Sequence, residues 1–291
     1  MERSGSLMEA DIHLLYESDF YRVLDFKCRC TECRRSKPEY SESFSISFVR
    51  KGNFLFNVFR HSLDSYTGCV LINKPGCERT VTHVHVVPDE CTIFDFKNDF
   101  YRELLEQYGH VKFFRDGDCH STLLKTDMET EFLHYYILQL IQHGAGSRLQ
   151  TDQLVLQMAG SVLGDVTDYK PDSRINLRLK RNHLTTIERA KEYISGNFSR
   201  DISLKEIAEY CYVSPFHFSR IFKTFTGYSP HQFLLSIRLQ YAAMLLSNTS
   251  GPVADIAFSS GFNSIENFTA AFRQRYAYPP SRYREQKSQI S

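Results

Sequence analysis

The sequence lacks any apolar run approaching the roughly 20 residues that a helix needs to cross a bilayer. Its opening, MERSGSLMEADIHLLYESDF, also lacks the basic, apolar, small-residue order of a secretion signal. Both absences lead to the expectation of a cytoplasmic protein with no membrane partner. A surplus of charge is missing too, since 35 Lys and Arg stand against 34 Asp and Glu, for a formal net charge of +1. What is present, 42% hydrophobic and 24% charged residues over 291 positions, suits a soluble globular chain long enough for two cores.

The near-neutral total conceals a division. Split at the stretch YKPDSR near residue 173, the first part holds 19 basic and 26 acidic residues, net −7. Residues 174–286 hold 15 and 8, net +7, and Lys287 supplies the remainder. Only the C-terminal part is therefore electrostatically suited to a polyanion.

Within it the chain repeats itself. ISLKEIAEYCYVSPFHFSRIFKTFTGYSP is similar to PVADIAFSSGFNSIENFTAAFRQRYAYPP: Ile207-Ala208 match Ile256-Ala257. After one extra residue, Ser214, Phe218, Phe222, Lys223, Tyr228 and Pro230 match Ser264, Phe268, Phe272, Arg273, Tyr278 and Pro280. Each copy reads as helix, tight turn, helix. In the first, Ser203 and Glu206 form a capping box, the helix stops near Cys211, Ser214 caps the next with Pro215 in its first turn, and Gly227 ends it. In the second, Pro252 opens, Gly261 permits the turn and Ser264 caps. Ser229-Pro230 begins a spacer helix with Phe233, Leu234, Ile237, Tyr241 and Leu245 inward, and a capping box of Thr185 with Glu188 is expected to open a leading helix. A short helix, a sharp turn and a capped second helix present the second helix's N-terminal residues outward, as entry into a DNA major groove requires.

Residues 184–286 resemble the DNA-binding domain of the AraC/XylS family of transcription regulators. The likeness rests on Ile-Ala, Val-Ser-x-x-x-x-Ser-Arg-x-Phe-Lys and Gly-Tyr-Ser-Pro in the first unit, and on Ile-Ala-x-x-x-Gly-Phe, Phe-Arg and Pro-Pro-x-x-Tyr-Arg in the second. It implies seven helices, action on double-stranded promoter DNA and, in the commonest case, an activator touching RNA polymerase. Helix geometry puts Phe216, Ser219, Arg220 and Lys223 on the outward face of the first recognition helix. Arg220 is suited to guanine, Phe216 to a thymine methyl and Lys223 to phosphate. The second offers Glu266, Asn267, Thr269 and Arg273, with Ala270 where the first has Arg220, so this unit is expected to contribute less affinity.

From about Phe44 to Phe96 the period changes to two, in SFSISFV, FLFNVF, CVLIN, TVTHVHVV and CTIFDF, separated by KGN, LDSYTG and KPGCE. Short antiparallel strands closing into a small barrel or sandwich follow, and their position before the repeat resembles the cupin-like sensor domain of family members. Residues 127–145 and 150–167 read as amphipathic helices, with Phe132, Tyr136, Leu140 and Ile141 on one face and Leu154, Met158, Val162 and Leu163 on the other helix's. The resemblance implies that helices here dimerise, so a homodimer is expected.

Cys28, Cys30 and Cys33 fall within six residues, CRCTEC, beside Arg29, Arg34 and Arg35. In a reducing compartment three such thiols suit a soft metal such as zinc, in a structural or sensory role, better than a disulfide set. Cys91 is the first choice for a fourth ligand, with Cys77, His83 and His85 as alternatives; a cysteine-rich loop without a ligand is the other reading.

The fold expected is α+β, with a cupin-like β domain over 1–125, a helical dimerisation or linker region over 126–173, and an all-α double helix-turn-helix over 174–291. The function expected is not enzymatic: a DNA-binding regulator, an activator, that responds to a small-molecule, metal or redox signal. The alternative is an alkylation-repair activator whose cysteine accepts a methyl group, against which the close C-x-C spacing argues.

Overall fold

The structure, a computed structural model, describes residues 10–29, 35–84, 88–144, 147–167, 175 and 177–288. The chain forms two compact units, residues 1–185 and 186–291. The linker boundary expected near residue 173 lies outside the described residues.

The first unit is built on two antiparallel sheets. One has six strands in the order β1 (Ala10–Glu17), β2 (Tyr21–Cys28), β9 (Glu90–Phe96), β4 (Phe44–Lys51), β7 (Cys69–Asn73) and β10 (Ser121–Lys125). The other has four, in the order β3 (Glu39–Ser41), β8 (Cys77–His83), β5 (Asn53–Val58) and β6 (His61–Tyr66). The alternation of β4 and β9 sets the layers, because successive side chains leave opposite faces of a strand. Phe44, Ile46, Phe48, Phe94 and Phe96 share one core with the helices, whereas Val49 and Cys91 share another with Phe54 and Phe56 of the smaller sheet. The larger sheet is thus covered on both sides, which is why β4 is buried from Phe44 through Val49.

Four helices supply the cover: α1 (Asn98–Tyr108), α2 (Lys112–Arg115), α3 (Met128–His143) and α4 (Arg148–Thr167). Leu104, Phe113, Leu133, Ile137, Val155, Met158 and Val162 join the sheet's aromatic face. Each such side chain contributes about 1.5–3 kcal/mol on burial. Asp127 caps α3 by accepting from Thr130 N at 2.7 Å, and Gly144 ends it at φ 60°. The two helices expected at 127–145 and 150–167 are present and pack on their own domain; of the expected faces, Phe132, Leu140, Met158, Val162 and Leu163 are buried and Tyr136, Ile141 and Leu154 half-buried.

Two expectations about the strands change. LDSYTG, taken as a turn, belongs largely to strand β6, and strands begin at Ala10 rather than Phe44. β6 and β1 are sheet edges, where one row of hydrogen bonds holds the strand and the apolar alternation that marks a central strand is not required.

The second unit continues from α5 (Leu177–Asn197), within which the division falls. It comprises α6 (Leu204–Tyr210), α7 (Pro215–Thr226), α8 (Pro230–Asn248), α9 (Val253–Ser259), α10 (Ile265–Tyr276) and α11 (Pro280–Ser288). Counting α5, these are the seven helices that the family resemblance implies. Thr185 does not open α5, which starts eight residues earlier: LRLKRNHL holds neither Pro nor Gly, and the buried Lys180 and Leu184 fix that stretch by packing. Within the first unit Lys180 Nζ lies 2.6 Å from Asp64 Oδ2 and 3.9 Å from the centre of the Tyr66 ring. No helix among the described residues is long and apolar enough to cross a membrane.

Candidate nucleic-acid interface

The two halves of the repeat fold alike. Ser203 Oγ accepts from Glu206 N at 3.0 Å while the Glu206 carboxylate returns to Ser203 N, completing the capping box that starts α6. Ser214 Oγ accepts from His217 N to start α7, Pro215 occupies its first turn, and Gly227 ends it at φ 82°. In the second copy Pro252 precedes α9, and Ser264 Oγ accepts from Asn267 N at 3.1 Å to start α10. The cores match as well: Phe218 and Phe222 have ring centres 5.4 Å apart, and Phe268 and Phe272 also 5.4 Å. All four rings are fully buried. α8 lies between the copies, with Phe233 against Phe222 on one side and Leu239, Ala242, Ala243 and Leu246 in the second copy's core.

The turns are where the copies differ. Each carries one left-handed residue, Tyr212 at φ 57° in the first and Gly261 at φ 86° in the second. Gly261 is obligatory by contact, because a Cβ there would lie 2.6 Å from Phe198 O. Tyr212 has room for its side chain and is held by Arg189 of α5, whose guanidinium lies 4.8 Å from the Tyr212 ring and donates to Tyr210 O at 2.8 Å.

Burying the phenylalanines turns the opposite face of each second helix outward. On α7, Arg220 and Lys223 are exposed and Ser219 is half-buried; the Phe216 side chain lies outside the described residues. On α10, Glu266, Asn267 and Arg273 are exposed, Thr269 is half-buried, and exposed Ala270 occupies the place of Arg220. Arg220, Lys223 and Arg273 form no ion pair among the described residues. Exposed Arg275, which the sequence reading passed over, adds a cation to the last turn of α10.

Two further constellations sit in the first unit. Between the sheets lies a cavity of about 270 Å³ walled by Phe26, Phe54, Phe56, Leu71, Val81 and Ile93, with Ser45, Ser47, Asn73, Arg79, Glu39 and Asp95 among its polar groups. Arg79 Nε is 3.7 Å from Glu39 Oε2; burial lowers the guanidinium's proton affinity and raises the Glu39 carboxyl above its usual range. Asn73 donates to Ser45 Oγ at 3.2 Å, and its Oδ1 has no hydrogen-bond partner among the described residues. These polar groups were missed in the sequence, although Ser45, Ser47 and Asp95 interrupt apolar strands at period two and so mark the face turned to the other sheet.

Of the expected metal cluster, Cys30 and Cys33, and the alternative ligand His85, lie outside the described residues. Cys28 is buried with its Sγ 3.8 Å from both ring nitrogens of His83, and His83 Nδ1 is 2.8 Å from Asp89 Oδ2. The Asp89 hydrogen bond raises the His83 pKa to about 9. Cys91 is not among the three groups whose ligand atoms lie within 4.8 Å of one another; it lines the cavity, and burial, with the nearby charge of Asp89, pushes its thiol well above the usual range.

Residues 207–286 match the family model of a helix-turn-helix domain. The regulatory protein PocR of Salmonella typhimurium is 32% identical over 109 residues, 38% of this chain and 36% of PocR. LumQ of Photobacterium leiognathi, named as a transcriptional regulator, is 26% identical over 181 residues, 62% of this chain and 64% of its own. The solved C-terminal domain of AraT, a response regulator from Geobacillus stearothermophilus, is 33% identical, with 39% of this chain and 88% of that one covered at a TM-score of 0.34. The chain thus spans about a third of PocR and just under two thirds of LumQ. The chain carries a helix-turn-helix domain over residues 207–286 and is similar there to PocR, and over a longer stretch to LumQ, both named as regulators.

Proposed function

We propose that the chain binds promoter DNA in a sequence-specific manner and regulates transcription there, with α7 and α10 as the two reading helices. The observation that carries this reading is the duplicated geometry: two capped helices, each buried by a pair of phenylalanines and each showing the opposite face to solvent. On that face Arg220 supplies a planar fork matched to guanine O6 and N7, and Lys223 and Arg273 supply charge for phosphates. The basic balance of residues 174–286 supports the same role. In this reading an activator contacts RNA polymerase beside the bound site, and a second copy of the chain provides the dimer.

The sandwich cavity is the effector site in this proposal. Its size and its mixture of apolar walls with a few convergent polar groups fit a small organic ligand that offers both a donor for Asn73 Oδ1 and an anionic or hydroxyl group for Arg79. A methyl-accepting cysteine is less well supported, because Cys28 and Cys91 are both 5% exposed and neither offers its sulfur to a donor carried on DNA.

Selection of bound duplexes from a random library by the full-length protein tests the reading. A recovered motif with two half-segments about one helical turn apart is expected. Retention of duplexes without sequence preference, or of none at low salt, rules out a sequence reader.

A further inference from the structure

We propose that Cys28, His83 and Asp89 form a zinc site that ties the two sheets of the first unit together. The three groups come from separate places in the sequence. Cys28 ends β2, His83 ends β8, and Asp89 immediately precedes β9. β2 and β9 belong to the six-stranded sheet and β8 to the four-stranded one, so an ion here bridges the layers at one end of the sandwich.

The donor set fits, and its spacing fits once the 2.8 Å His83–Asp89 hydrogen bond opens by about 0.5 Å. A thiolate, an imidazole and a carboxylate are all common zinc ligands, at about 2.3 Å for sulfur and about 2.0–2.2 Å for nitrogen and oxygen. Ligands at those lengths around a tetrahedron are roughly 3.3–3.8 Å apart. The Cys28 sulfur is 3.8 Å from the His83 nitrogens, and the three potential ligand atoms all lie within 4.8 Å of one another. All three residues are buried, at 5%, 6% and 1% exposure. The backbone is fixed beneath them, as Cys28 N donates to Asp89 O at 2.8 Å.

A catalytic relay of the cysteine–histidine–carboxylate kind uses the same residue types but a different geometry. There the sulfur faces the ring nitrogen opposite the one held by the carboxylate. Here the sulfur is equidistant from the two nitrogens and does not sit on the axis of either. None of the three lines the sandwich cavity. Zinc binding needs neither feature. It requires Cys28 to lose its thiol proton and His83 to give a ring nitrogen to the ion in place of a proton, both protons leaving to solvent.

Full-length protein, stripped by chelator and titrated with zinc alone, is expected to take up about one equivalent per chain. Cys28→Ser and His83→Ala should each reduce bound zinc by about tenfold or more at the same free zinc concentration. Because either variant could disturb folding, cobalt loading of the unaltered protein gives an independent readout. A near-ultraviolet thiolate-to-cobalt charge-transfer band, with the intense visible bands of tetrahedral cobalt, is expected. No zinc uptake, a cobalt spectrum without the thiolate band, or full zinc content in folded Cys28→Ser each overturns the proposal. DNA selection by the same samples is scored separately, so failure here and failure of the regulatory reading are distinguishable.

Discussion

Gly52 and Asp89 approach so closely that a Cβ on Gly52 would overlap Asp89 Oδ1 and come within 2.9 Å of Asp89 Cα. Gly52 also holds φ at +92°, in the turn between β4 and β5. A glycine is therefore required twice over, by backbone conformation and by contact. Gly52→Ala is expected to destabilise the first unit by about 2 kcal/mol or more, the sum of a disfavoured backbone and a displaced, buried carboxylate. Urea denaturation followed by circular dichroism measures this, and a loss under about 0.5 kcal/mol would show that the turn relaxes without moving Asp89.

Arg220→Ala should weaken binding to a selected site by about 1–3 kcal/mol, and binding to random duplex by much less. The reason is geometric: α7 buries Phe218, Ile221, Phe222 and Phe225, which leaves Arg220 on the face away from the core. Lys223→Ala, three residues on, is expected to lower affinity for both DNAs alike and to reduce the salt slope by about one. Equal losses at both DNAs for Arg220→Ala would make it a phosphate contact instead.

Glu266 is exposed in the first turn of α10. It favours the helix through the dipole, but on the proposed reading face it would stand where phosphates approach. Glu266→Gln is expected to raise affinity for random duplex by about twofold to fivefold, at a cost of about 0.3–1 kcal/mol in helix stability. A fall in affinity confined to sites with cytosine at one position would identify the carboxylate as a base reader.

How far the sequence could be read depended on whether the signal was local. Ser214, Pro215 and Gly227 delimit α7 through their own backbone chemistry, and the structure begins and ends the helix at those residues. Ser229 likewise starts α8. Thr185 with Glu188 carried the same local signature and misled, because the packing of Lys180 and Leu184 extends α5 backward past it. Longer-range features were less legible. β6, HSLDSY, has no apolar alternation and exists because β5 offers it a partner. The closeness of Cys28 and His83 depends on two strand ends in different sheets, 55 residues apart, which no local spacing encodes. The CRCTEC cluster drew attention to Cys28, but the residues gathered around it among those described are His83 and Asp89.

His134 provides a test that requires no ligand. It sits on α3 with its ring stacked 4.2 Å from that of Phe48, and its Nε2 is buried with no hydrogen-bond partner among the described residues. Burial, reinforced by the charge of Arg50, depresses its pKa to about 3. In the unfolded chain the same imidazole titrates near pH 6.5. Above about pH 6.5 both states are neutral and the residue contributes nothing to pH dependence. As pH falls below that, the unfolded chain gains a proton that the native state refuses, so stability declines by up to about 1.4 kcal/mol per pH unit until about pH 3. His134→Phe keeps the stack on Phe48 and removes the titration. The variant's stability should lie within about 1.5 kcal/mol of the original at pH 7.5, since the swap nearly conserves volume. Moving from there to pH 5.5 should cost the unaltered protein about 1 kcal/mol more than the variant. Urea unfolding at the two pH values measures the difference, and parallel losses would mean that the ring reaches water and protonates in the native state.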